Sequence, residues 1–559
     1  MNLTVLKSIC LITGFLLLTA CSNNGKRGTA NFIITPPSVS QIEESVTSQV
    51  ALMVNAFSPV AGQALPNEAV QKAYKYRDFQ PIWIDDNVLN LSIYKLVDIL
   101  EQAPTHALNP IHYHTPVIKE YLAIKEPTRQ QLAELDVIAT VALSSYAHDL
   151  SIGRYEPQLI DPNWQLDSPS SQWSELLYLD SSSDMVNYLP TLAPRHPNYQ
   201  VLQKWLVYYQ DLASKEKDIL VDEGPLLAVG KQGKRVAQLR ARLVQLGDIR
   251  FSTRTVQEDK FDIKLKDALR NFQRRHNLQA DGRAGAQTVE KINIPMAHRA
   301  KQIAYNLERW RWLPTQLEPE RIWVDLTDYK VHTILNGQHS SMKVVIGNKE
   351  HKTPVFKGNM TYMVTNPTWR VPHRIAQETL LPILYENPNY LVEQGYRVFS
   401  NWTIGAKELD PTKINWQTIE PQDLAYRFEQ EPDEGNALGQ YKFMFPNKNE
   451  IYLHDTPAKS LFRRAHRAFS SGCVRLEDAE GFAASLVENT NKAKTLNSAI
   501  ATTETKVITL PKQLPVYIVY FTAMPDINGM PEFRDDVYER DALMADAMDY
   551  SPYTGRGAL

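Results

Sequence analysis

Two residues of this sequence stand where nucleophilic acyl chemistry would need them. Cys473 lies in Ser470-Ser471-Gly472-Cys473-Val474-Arg475, and His454 ends the run Ile451-Tyr452-Leu453-His454. A cysteine attacks a carbonyl as the thiolate, and at a pKa of ~8.5 only a few per cent is ionised at neutral pH. A histidine within hydrogen-bond reach takes the thiol proton and returns it to a leaving amine. His454 and His466 are the local candidates. His454 is favoured, because it closes an apolar, strand-like run, a rigid place from which to aim a side chain. His466 sits in the basic run Phe462-Arg463-Arg464-Ala465-His466-Arg467, which reads as an exposed loop. Gly472 lets substrate approach the backbone closely. The turn of Ser470, Ser471 and Gly472 can present N–H groups to a tetrahedral oxyanion, worth ~3 kcal/mol per donor. Ser470 either orients His454 or caps the turn. No metal or organic cofactor is implied.

The other cysteines point to export. The chain holds three, Cys10, Cys21 and Cys473, too few for a disulfide framework. A positive end at Lys7 precedes the apolar stretch Ile9–Ala20, whose twelve residues fall short of the ~20 that span a bilayer. The segment closes with Leu18-Thr19-Ala20-Cys21, which resembles a bacterial lipobox. That resemblance implies cleavage before Cys21 and a lipid on Cys21; a plain signal peptide or an uncleaved anchor is the alternative. Ser22, rather than Asp, then suggests a periplasmic protein held in the outer membrane. Cys473 is left as the sole free thiol in an oxidising compartment, a liability unless it has a task. A buried, inert cysteine is the plainer alternative.

The elements that must position Cys473 and His454 lie late in the chain. With 559 residues, the chain is too long for one ordinary core. Its 43% apolar and 22% charged content suits soluble globular domains, and a net charge of −3 gives no sign of a nucleic-acid partner. We expect a signal peptide over 1–20, a lipidated flexible tether over 21–60 and a helical domain over 61–220. His106, His112 and His114 read as loop histidines, since their spacing matches no strong zinc signature. A small helical unit follows over 225–296. Val236, Leu239, Leu243 and Leu246 share one helix face, Gly247 ends that helix, and Leu265, Ala268, Leu269 and Phe272 form a second face. From Lys231 to Arg275 there are thirteen Lys or Arg against five Asp or Glu, a balance of +8. This patch suits carboxylate-bearing wall peptides, or is a solvated helix face. Strand character dominates 320–540, with a hairpin turn at Asn336-Gly337 and an inserted lid at 374–436. Residues 541–559 read as a loose tail.

Three stretches resemble known domains. Ile451–Arg475, with nineteen positions between His454 and Cys473, resembles the signature of the L,D-transpeptidase (YkuD) family; Ser471 stands where many members have a second histidine. Asp281-Gly282-Arg283-Ala284-Gly285 followed by Thr288 resembles the type 1 peptidoglycan-binding domain. Tyr76–Trp83 and Ser151–Arg154 resemble the scaffold domain of the large Gram-negative members. The resemblance implies a multidomain fold: a mostly β, sandwich-like catalytic domain with a lid, a helical scaffold and a three-helix wall-binding unit. It implies a Cys473 thioester, release of D-alanine from tetrapeptide stems and 3→3 diaminopimelate cross-links. Arg475 would hold a stem carboxylate, Tyr452 and Trp369 would wall the cleft, and carbapenems would acylate Cys473. Stem peptides, and peptidoglycan synthases, are the implied partners. The alternatives are the same chemistry attaching or detaching a wall lipoprotein, or a non-catalytic wall-binding lipoprotein.

Overall fold

The computed structural model describes residues 45–55, 64–167, 169, 172–249, 258–502 and 504–548. The expected signal peptide, the lipidation site Cys21 and most of the tether lie outside these residues. Among the described residues no helix is long and apolar enough to cross a membrane. The described residues divide into two compact units, one drawn from 45–156, 169–195 and 544–548, the other from 157–167 and 196–543.

The first unit is helical. Its core is threaded by α1 (Arg129–Ile152), started by a capping box between Thr128 and Gln131 and buried on several sides at Leu132, Leu135, Leu143, Tyr146 and Leu150. Asp136 on this helix is fully buried and accepts from the Tyr74 hydroxyl at 2.5 Å and the Ile82 and Trp83 N–H groups at 2.9 and 2.7 Å. Burial pushes its carboxyl up to about 6, against the pull of those hydrogen bonds. Arg154 pairs with Asp149 at 3.0 Å, and Asp149 also accepts from Tyr113. These polar ties hold Tyr76–Trp83 and the end of α1 in place. His106 and His112 lie on short 3-10 turns, and no group of three or more His, Cys, Asp or Glu able to hold a metal occurs among the described residues.

The second unit begins with α2 (Pro197–Lys215), then the small helical set α3 (Lys234–Gln245), α4 (Ile263–Arg275) and α5 (Ala286–Ile292). Both predicted apolar faces are buried, and Gly247 follows α3 at φ +82°. Gly282 has φ +73°, and a Cβ there would lie 2.6 Å from Lys266 Cγ. Its N–H donates to Gln273 Oε1 at 2.8 Å, so the Asp-Gly turn is tied to α4. The basic patch is partly internal. Fully buried Arg242 donates to Asp218 and to the Ile292 and Ile294 carbonyls. Arg275 grips both oxygens of Asp248 at 2.6 and 2.7 Å.

Next comes α6 (Met296–Arg311), whose buried residues include Arg299, Asn306, Glu308, Arg309 and Arg311. The β-rich part is built from β1 (Arg321–Asp325), β2 (Lys330–Leu335), β3 (Gln338–Gly347) and β4 (Phe356–Thr365). After an insertion it continues with β9 (Tyr441–Met444), β10 (Leu453–His454), β11 (Ala468–Ser470), β12 (Val474–Leu476) and β13 (Lys506–Val519). The order is β11-β3-β12-β10-β9-β4-β13-β1-β2, and β2 also pairs with β3, so the sheet closes on itself. Asn336-Gly337 makes the β2–β3 hairpin with φ of +51° and +73°, the left-handed values that type I′ turns require.

The insertion carries its own sheet, β5 (Trp369–Arg370), β6 (Tyr396–Phe399), β7 (Glu408–Leu409) and β8 (Arg427–Gln430), in the order β5-β8-β6-β7. Its core includes Val371, Leu381, Leu384, Val398, Trp416 and Phe428. The subdomain therefore starts at Trp369, ahead of the expected 374. Asn436 closes its neck, donating to the Pro367 and Gln430 carbonyls at 3.1 Å each. After β13, β14 (Ala523–Pro525) and β15 (Pro531–Phe533) form a short hairpin. The expected loose tail from 541 is corrected in part. Arg540–Ala547 is helix α7, with Met544, Ala547 and Met548 buried at the i, i+3, i+4 spacing of one helix face that polar neighbours mask in the sequence.

Candidate active site

Strand pairing brings His454 and Cys473 together. β10 and β12 run parallel, with Leu453 opposite Val474 and His454 opposite Arg475. The Val474 N–H donates to the Tyr452 carbonyl at 3.1 Å, so Cys473 lies level with Tyr452. Side chains alternate across a sheet. Leu453, Val474 and Leu476 face inward and are fully buried, which leaves Tyr452, His454, Cys473 and Arg475 on the other face. β9 adds a residue the sequence did not single out: Lys442 stands directly opposite His454. Period-two alternation in Tyr441–Met444 marks Lys442 as the polar position, but only the pairing shows which residues it meets.

The turn that leads into Cys473 is pinned on several sides. Gly472 has φ +120°, and a Cβ there would lie 3.3 Å from Ile451 Cδ1. Its carbonyl accepts from Thr353 Oγ1 at 2.7 Å, and Thr353 Oγ1 accepts from the Gly347 N–H at 2.9 Å. The Tyr538 hydroxyl donates to the Gly347 carbonyl at 2.6 Å and accepts from the Thr353 N–H at 3.2 Å. Ser470 caps the turn: its hydroxyl donates to the Cys473 carbonyl at 2.5 Å and accepts from the Gly472 N–H at 3.2 Å. Of the two readings given for Ser470, these bonds match the cap. The Ser471 carbonyl accepts from Arg374 of the insertion at 3.0 Å, and the same guanidinium meets His351 and Glu378. His466 is exposed. Thr353, Tyr538 and Arg374 carry no local motif, since each acts across a long stretch of chain.

The electrostatics favour a neutral resting pair. The His454 Nδ1–H donates to the Asp455 carbonyl at 2.5 Å, which leaves Nε2 free to accept a proton. Burial pulls His454 down to about 3, and the nearby Arg475 and Lys442 charges push the same way. Burial pushes the Cys473 thiol up, while the Tyr452 N–H and phenol, Lys442 and Arg475 pull it back. The thiol also lies 3.9 Å from the Glu450 carbonyl. Among the described residues no hydrogen bond joins Cys473 to His454; such contacts commonly tighten only when substrate is bound. Tyr452 stands edge-on to His454 with ring centres 5.6 Å apart, while the Trp369 ring lies 6.2 Å from that of Tyr396 within the insertion. Tyr452, His454, Cys473 and Arg475 thus share one face of the sheet.

Comparison with known proteins agrees with this architecture. The YkuD family, an L,D-transpeptidase catalytic domain, matches residues 319–508. A scaffold domain matches 68–206, and a "Putative peptidoglycan binding domain" matches 232–292. Residues 319–508 are a YkuD-family L,D-transpeptidase catalytic domain, joined in one chain to scaffold and peptidoglycan-binding domains. A curated protein of Haemophilus influenzae, "Putative L,D-transpeptidase", is 33% identical over 272 residues, 47% of this chain. The match spans 54% of that relative, about half its length. A solved L,D-transpeptidase of Xylanimonas cellulosilytica is 13% identical, covering 53% of this chain and 100% of its own, at a TM-score of 0.16. One from Stackebrandtia nassauensis is 16% identical, covering 54% and 97%, at 0.21. Superpositions that loose carry no structural argument.

Proposed function

We propose that this protein is a cysteine-dependent L,D-transpeptidase that forms 3→3 cross-links in peptidoglycan. The observation that carries the reading is the shared face of β10 and β12, where a thiol, an imidazole with a free Nε2 and two cations converge inside the family domain. Cys473 gives its proton to His454 and attacks the carbonyl of the third stem residue. The bond to the fourth residue breaks, and D-alanine leaves with the proton from His454. A thioester remains on Cys473. The side-chain amine of diaminopimelate on a second stem attacks it, the C–S bond breaks and the thiol recovers its proton. The thioester keeps the acyl group reactive, so the exchange needs no nucleotide. Arg475 and Trp369 shape the donor cleft. The insertion, tied to the nucleophile turn through Arg374, acts as a lid that excludes water and favours an amine acceptor.

Cys21 carries the lipid in this reading, and holds the protein at the outer membrane of the periplasm. Mass measurement of the mature N-terminal peptide tests that. The enzymatic reading is tested by incubating purified protein with disaccharide-tetrapeptides and reading products by mass spectrometry. Wild type gives tetrapeptide–tripeptide dimers and free D-alanine, while Cys473→Ala folds but gives neither. Dimer formation by Cys473→Ala would sink the mechanism. Carbapenem adducts on Cys473 alone are the companion result, and their absence would favour a non-catalytic wall lipoprotein.

A further inference from the structure

Lys442 is a part-buried cation that makes no ion pair with a carboxylate among the described residues. Its Nζ stands 4.0 Å from the centre of the Tyr452 ring, on the strand facing His454. Tyr452 lies level with Cys473 on the neighbouring strand, fixed there by the Val474 N–H to Tyr452 carbonyl bond at 3.1 Å. The neighbouring Arg475 is also part-buried, and its Nε is buried without a hydrogen-bond partner. Among the described residues neither cation makes an ion pair within 4.0 Å. Glu450 attracts Lys442 but is exposed and forms no such pair. Arg370, the next cation along, is already held by Glu429 at 3.0 Å. Two part-buried positive charges therefore stand beside Cys473 with, among the described residues, no carboxylate in an ion pair with either, an arrangement that suits an anion from the ligand while the thiol is neutral.

Stem geometry says which anion. In a donor that ends one residue past the cleaved bond, the terminal carboxylate is separated from the scissile nitrogen by a single Cα. It therefore sits within one side chain's reach of the attacking sulfur, where Lys442 and Arg475 stand. One more residue would put a neutral amide there and carry the carboxylate roughly 3.5 Å farther along the chain. We propose that Lys442, acting with Arg475, reads the free carboxylate of the departing residue and so restricts donors to stems ending one residue beyond the cleaved bond. The proposal rests on the transpeptidase reading above and adds a specificity-determining residue to it.

The full-length protein tests this as wild type, Lys442→Met and Lys442→Arg. Two disaccharide-tetrapeptide donors are compared, one ending in D-alanine and one in D-alaninamide, with release of the terminal residue followed by mass spectrometry. Wild type should prefer the acid by about 10- to 100-fold in kcat/KM, the scale of a charge-assisted contact. That ratio should collapse in Lys442→Met and survive in part in Lys442→Arg. An unchanged ratio in Lys442→Met overturns the proposal, as does a wild type indifferent to the terminal charge. Iodoacetamide labelling of Cys473 across pH separates a second role. If its profile moves while the ratio stays, the lysine serves the thiolate and not the carboxylate. Release from neither donor by wild-type protein whose thiol still labels would instead defeat the transpeptidase reading.

Discussion

Arg311 and Arg475 are both buried wholly or in part in the second unit, yet only Arg311 has a counter-ion. Arg311 pairs with Glu308 one turn away and also donates to the Tyr199 hydroxyl at 3.0 Å. Around it Arg309 meets Asp541 at 2.6 Å, and Arg534 is held by Asp325, by Asp328 at 3.6 Å and by Glu532 at 2.8 Å. Arg299 lacks a carboxylate but rests on the Phe533 ring and donates to the Lys291 carbonyl. Beside Cys473, Lys442 rests on the Tyr452 ring at 4.0 Å, and among the described residues neither it nor Arg475 makes an ion pair with a carboxylate. A buried charge without a partner costs stability, and proteins retain that cost where a ligand supplies the missing charge. Most buried cations of the second unit are held by carboxylates and Arg299 by a ring and a carbonyl, whereas Lys442 and Arg475 stand beside Cys473 without an ion pair.

The contrast can be broken experimentally, and the largest effect should come from the paired side. Glu308→Gln strands Arg311 in the interior and should cost about 3–5 kcal/mol, read from denaturant unfolding. His454→Asn should cost about 10²–10⁴-fold in the acylation rate of Cys473 while leaving the unfolding midpoint near wild type. Arg475→Met removes an unpaired charge, so stability should hold or rise, while donor kcat/KM falls roughly 10- to 100-fold. A loss of stability comparable to that of Glu308→Gln would erase the distinction between the two regions. pH sharpens it further. The thiol is raised and His454 lies at about 3, so acylation should climb with pH beyond the ordinary thiol range. No falling limb from His454 should appear between about pH 4 and 8, because the imidazole is neutral throughout. Stopped-flow carbapenem acylation gives that profile. Arg374→Ala should have the smallest effect, under about 1 kcal/mol, because its contacts are exposed.

Local patterns carried much of this architecture. Asn336-Gly337 specified its hairpin because only a few residues tolerate left-handed φ. Helix faces such as Val236, Leu239, Leu243 and Leu246 were legible because hydrophobic period tracks burial. The Cys473 and His454 runs were legible as short motifs on strand ends. What escaped reading is polar or distant. Helix α6 buries Arg299, Asn306, Glu308, Arg309 and Arg311, so its pattern looks like a solvated surface. Lys442 gains meaning only from cross-strand register. Trp369 belongs to the insertion because it pairs with Gln430, a link across a long stretch of sequence.

The Tyr538 contacts also bear on the order in which the chain is made. Its hydroxyl completes the bond relay through Thr353 that holds the Gly472 carbonyl, and it follows Cys473 well downstream. A nascent chain that has delivered Cys473 but not Tyr538 cannot yet build the finished turn. Completion of the turn before Cys473 therefore waits on a residue that leaves the ribosome later than the turn itself.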